Sequence, residues 1–139
     1  MSAEPPIYVL DSYAMLAYLD GETGMERVRM VLEQALNAQV RVLLSMINVG
    51  EVLYITEREI GLVPAQAALA AIDQLPIEFL PVTREAVLAA AHIKANHPIA
   101  YADAFAVAAA QEFNATVLTG DPEFQAVSEL VTVEWLGRP

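Results

Sequence analysis

The stretch His97 to Gln111, HPIAYADAFAVAAAQ, constrains this chain more than any other. Between Lys94 and Glu112 its only carboxylate is Asp103. Ala, Ile, Tyr, Phe and Val make up most of the rest, which predicts one buried helix opening after Pro98. A carboxylate in apolar surroundings stays ionised only if something offsets its desolvation. Backbone N–H groups at a cap, a basic side chain or a metal would each do so. No Lys or Arg is near in sequence, so the rest of the chain must supply whatever meets Asp103.

The 139 residues suggest one domain spanning 1–139, and a composition 56% hydrophobic supplies a full core. Eighteen acids against seven bases give a net charge of −11. Such a chain does not hold nucleic acid by a broad basic face, because the sequence-independent part of that affinity comes from Lys and Arg neutralising phosphates. If it acts on phosphates, a cation must bring the two together. The absence of Cys excludes disulfides and thiolate metal sites. The opening MSAEPP has neither a basic n-region nor an apolar h-region, so no signal peptide is expected. The longest weakly charged run is too short to span a bilayer. A soluble, cytoplasmic protein without membrane contact is expected.

Apolar runs and helical spacings alternate along the chain. Ile7 to Leu10 predicts a first strand and Tyr13 to Leu19 a helix. Met25 to Ala38 has helical spacing at Met25, Val28, Val31, Leu32, Ala35 and Leu36. A second strand is expected over Val40 to Leu44, then helices from Ser45 to about Ile60 and from Pro64 to Asp73. Ile77 to Leu80 predicts a third strand, and Thr83 caps a helix running to about Asn96. After the Asp103 helix, Asn114 turns the chain into a fourth strand, Thr116 to Thr119. Gly120-Asp121-Pro122 opens a short helix, Val131 to Trp135 is a last strand, and Gly137 begins a tail. This order predicts a three-layer α/β/α sandwich with a mostly parallel, roughly five-stranded sheet.

In such folds ligands bind at the carboxyl ends of the strands. Asp11 follows strand one, Glu51 lies about two turns into the helix after strand two, Asp103 starts the helix feeding strand four, and Asp121 follows that strand. All four carboxylates can therefore share one sheet edge. A cluster of this kind resists full ionisation unless a divalent cation sits in it, and all-oxygen coordination suits Mg²⁺ or Mn²⁺. Each acid also has a plainer role. Asp11 can cap the next helix, Glu51 can complete a capping box with Asn48, Asp121 before Pro122 is a strong helix start, and Asp103 can cap the residues after it. Four independent caps, however, need not share an edge.

The segments YVLDSYAMLAYL, SMINVGEVLY and YADAFAVAAAQEFNATVLTGDPEF resemble, in order and spacing, the PIN-domain ribonucleases, and among them the VapC-type toxins of toxin–antitoxin pairs. Asp11 matches the family's first Asp, Glu51 its Glu, Asp103-Ala104 its late helix start, and Thr119-Gly-Asp121 its Thr-x-Asp, with Phe124 behind. The resemblance implies Mg²⁺- or Mn²⁺-dependent cleavage of single-stranded RNA by metal-activated water, leaving a 5′-phosphate and a 3′-hydroxyl. Asp11 and Asp103 are assigned as the most direct ligands. Asp121 and Glu51 bind a second cation, bind through water, or act as base. Ser12 and Thr119 support the site through hydroxyl hydrogen bonds, and Glu123 is the nearest candidate for the family's further acid. A cognate antitoxin and a homodimer are implied as partners. Two other readings compete. A phospho-acceptor receiver domain needs a Lys after its last strand, and the only Lys is Lys94. A PIN-like fold without catalysis would serve as an interaction module.

Overall fold

The structure, a computed structural model, describes residues 4–137. Met1 to Ala3, at the head of the chain, and Arg138 and Pro139, in the expected tail, lie outside the described residues. The chain runs β1 (Ile7–Leu10), α1 (Ser12–Asp20), α2 (Met25–Leu36), β2 (Arg41–Ser45), α3 (Met46–Glu59), α4 (Leu62–Asp73), β3 (Glu78–Leu80), α5 (Arg84–Asn96), α6 (Tyr101–Phe113), β4 (Thr116–Thr119), a 3-10 helix (Pro122–Val127) and β5 (Thr132–Trp135). The sheet order is β3-β2-β1-β4-β5, and every neighbouring pair is parallel. The expected sandwich is thus present, with a sheet that is wholly parallel.

Strand periodicity divides the core in two. Side chains alternate across a strand. Val9, Leu43 and Val117 pack with α5 and α6, while Leu10, Val42, Leu44 and Leu118 pack with residues of α1 to α4. With both faces covered, the central strands read as continuous apolar runs. Helix α6 is buried from Asp103 to Ala110. Its run of Ala lets it lie close to β1, β2 and β4 and still take α5 on its outer side.

Two expectations shift. The late helix begins at Tyr101, not directly after Pro98. Ile99 is drawn into the core at 2% exposure, and Ala100 stays extended as the N-cap. The capping box of Asn48 and Glu51 does not form. Ser45 caps α3 through the Ile47 N–H at 3.1 Å, which places Asn48 inside the first turn.

Candidate active site

The sheet order reverses direction between β1 and β4, the switch point where ligands bind in open parallel sheets. Leu10 of β1 is in register with Leu118 of β4, so Asp11, just past β1, and Thr119, the last residue of β4, emerge side by side. Asp11 is fully buried. Its Oδ1 accepts the Ala14 N–H at 2.9 Å as the cap of α1, and its Oδ2 accepts the Thr119 hydroxyl at 2.5 Å. The Thr119 Oγ1 in turn accepts the Asp121 N–H at 3.0 Å. Asp121 then caps the 3-10 helix through the Glu123 N–H at 2.9 Å, with Pro122 at its first position. One hydroxyl thereby links the first and last acids of the edge.

Glu51 comes from the side. Its Oε1 accepts the Ser12 hydroxyl at 2.5 Å, which ties the start of α1 to the middle of α3. Asp103 lies in the first turn of α6 at 5% exposure. Its possible role as a cap fails, because Ala100 holds that position without a side-chain bond. Glu123 reaches the same helix start by accepting the Ala100 N–H at 3.2 Å. Asn48 also braces it: Nδ2 donates to the Ala102 carbonyl at 3.3 Å, while the buried Oδ1 has no partner among the described residues. Sequence reading passed over Asn48 as a brace, since its partner stands 54 positions away.

Burial raises the Asp11 carboxyl to about 7, opposed by its bonds to Thr119 and Ala14 and aided by the charge of Asp121. Burial raises Asp103 to about 8, with further repulsion from Asp11, Asp121, Glu51 and Glu123. Asp11, Glu51, Asp121 and Glu123 are therefore each close enough to act on Asp103. Among the described residues, no three Asp, Glu or His side chains are closed tightly enough, as they stand, to hold an ion. Asp11 and Glu51 instead each turn an oxygen to a hydroxyl. The donor set is nevertheless all oxygen from four separate elements, which suits a hard divalent cation.

Three arginines are engaged elsewhere. Arg27 bonds Glu134 and lies against the Tyr8 ring, Arg29 bonds Glu26 and Glu33, and Arg41 bonds Glu78. None is among the charges that shift Asp11 or Asp103. A cavity of about 490 Å³ beside Ser45, Leu80, Phe105 and Phe113 has none of the four acids in its lining. The acids occupy the sheet edge, not that cavity.

Comparison with known proteins agrees with this fold. The family model of the PIN domain matches residues 8–130. Among solved structures, the chain is similar to VapBC2 from Rickettsia felis bound to a promoter DNA fragment, with TM-score 0.74, 17% identity and coverage of 94% of this chain and 98% of that one. It is similar to VapC20 of Mycobacterium tuberculosis, a Sarcin-Ricin loop cleaving toxin, with TM-score 0.67, 19% identity and coverage of 87% and 94%. It is also similar to FitAcB from Neisseria gonorrhoeae, with TM-score 0.66, 23% identity and coverage of 91% and 95%. At these identities the likeness is one of fold. No curated protein matches the sequence significantly.

Proposed function

The chain belongs to the PIN domain family, and from that premise we propose that it is a divalent-metal-dependent endoribonuclease of the VapC type. It acts as the toxin of a toxin–antitoxin pair and cleaves single-stranded RNA. The observation that carries the reading is the set of acids that crowd Asp103 at the switch point, with no described Lys or Arg among the charges that act on it. An ordinary protein core has no use for such a cluster.

In this reading Asp11 and Asp103 hold the cation, and Glu51 and Asp121 complete the set. A bound Mg²⁺ or Mn²⁺ polarises the phosphate and makes water a nucleophile at neutral pH. The chain's own residues do the positioning. Thr119 fixes the carboxylate plane of Asp11 and the start of the turn that carries Asp121. Ser12 engages Oε1 of Glu51 and so orients that carboxylate, which would complete the cation's ligands or serve as base. In-line cleavage leaves a 5′-phosphate and a 3′-hydroxyl. Glu123 sets the helix start that carries Asp103.

The structural relatives include VapBC complexes, which supports an antitoxin as partner, and the VapC-type reading adds a second copy of the chain. Exposed Tyr54, Ile60, Leu62 and Val63 on α3, α4 and the turn between them offer apolar surface for such contacts. That same surface favours the alternative of a catalytically inactive interaction module.

The test is cleavage of a mixed RNA pool in Mg²⁺, Mn²⁺ or EDTA, beside Asp103→Asn. Metal-dependent cleavage that vanishes in the variant is expected. A folded chain that cuts no RNA with any metal would leave the interaction module.

A further inference from the structure

Tyr13 has a place at the acid edge that the metal chemistry does not use. It stands two residues after Asp11 and directly after Ser12, yet it is 41% exposed. Its ring lies on the backbone of Gly120, between Thr119 and Asp121. A Cβ at Gly120 would stand 2.4 Å from Cε1 and 2.6 Å from Cζ of that ring, so a larger residue there would push the ring aside. The ring also borders a recess of about 260 Å³ lined by Leu16, Ala17, Glu22 and Thr23. A flat aromatic surface thus lies against the turn carrying Asp121 and is partly open to solvent.

The chain carries a net charge of −11, Arg27, Arg29 and Arg41 are bonded to acids, and Arg58, Arg84 and Lys94 are not among the charges that act on Asp11 or Asp103, so the acid edge offers little positive charge with which to hold RNA. Stacking on an aromatic face is the other general source of affinity for single strands, and it needs unpaired bases. We propose that Tyr13 is a base-stacking site for the nucleotide beside the scissile phosphate, with the base seated toward the Leu16–Thr23 recess. This rests on the nuclease reading, and it would make single-strandedness a requirement set by Tyr13.

The experiment measures KM and kcat in Mn²⁺ on a single-stranded oligoribonucleotide that the unaltered chain cuts. Its partner substrate has an abasic nucleotide next to the cleaved bond. For the unaltered chain, the abasic substrate should raise KM about tenfold, within the range for one stacked base. Tyr13→Leu should raise KM by a similar factor on the intact substrate, and removing the base should then cost it nothing more. Tyr13→Phe, which keeps the ring, should restore the lower KM. An abasic penalty of the same size in the unaltered chain and in Tyr13→Leu would overturn the proposal while leaving the nuclease intact. So would a Tyr13→Leu that cuts RNA normally but no longer binds its antitoxin, which would assign the ring to a protein partner. Failure of the unaltered chain to cut any RNA is a separate result, since it removes the nuclease reading itself.

Discussion

Carboxylates at the surface and at the carboxyl edge of the sheet are treated in opposite ways. Glu26 and Glu33 flank Arg29 on the exposed side of α2, Glu78 holds Arg41 across β2 and β3, and Glu134 holds Arg27. There the neighbouring guanidinium holds Glu26 and Glu78 below the usual carboxylate range. Asp11 and Asp103 are buried, have no guanidinium, and are pushed up to about 7 and about 8. The fold places its cations where water already screens charge and withholds them where burial makes an unpaired acid costly. The proposed cation site rests on this difference.

The strongest way to break this contrast is to remove one edge acid. Asp103→Asn should lower RNA cleavage about a thousandfold or more, because the charge stabilisation supplied by a metal is worth several kcal/mol. Retention of more than a tenth of the activity would place the chemistry elsewhere.

Proton competition comes next. Binding a cation must displace protons from Asp11 and Asp103, so affinity for Mn²⁺ should rise with pH to about 8 and then level. Between pH 8 and pH 6 it should fall about 500-fold, about 50-fold from Asp103 and about tenfold from Asp11, as the two carboxyls take up protons. The stability of the metal-free chain runs the other way. Both folded pKa values lie above the unfolded value, so the folded form binds more protons between them. Their stabilising contribution is complete below about pH 4 and is lost as pH rises through 7 to 8. Metal titration by calorimetry and thermal melts in EDTA across this range check both signs.

Thr119→Val should cost about 10- to 100-fold in metal affinity or activity, the usual effect of losing a group that orients a ligand. Calorimetry and initial rates would show it, and a loss under twofold would sink that role. The surface acids give the smallest effect. Arg29→Gln should leave cleavage unchanged and the melting temperature within a degree or two, since exposed ion pairs contribute little.

Much of this was legible in the sequence because it was local. The strands are apolar runs bounded by turn residues, and Asp11, Asp103 and Asp121 sit at fixed distances from them. The matched order of those segments is what brought the family into view. Non-local bonds were not legible. Ser12 meets Glu51 across 39 positions, and Thr119 meets Asp11 across 108. Hydroxyl support from both was expected, but not which acid each would hold. The start of α6 was placed early because a residue following a proline carries no local sign that the core will claim it, as it claims Ile99. Asn48 looked like a cap because Asn commonly is one, whereas Ser45, at the end of β2, reaches that position first.

Asp11 carries two duties in one carboxylate, whereas Asp103 carries one. Asp11 caps α1 and anchors Thr119, so a change there removes a folding contact along with a proposed metal ligand. Asp103 caps nothing, so its loss spares the helix it stands on. If the chain is the toxin proposed above, a genetic selection for surviving cells would give different survivors at the two positions. Changes at Asp103 would yield folded, abundant protein still able to engage an antitoxin. Those at Asp11 would tend to yield protein that is cleared.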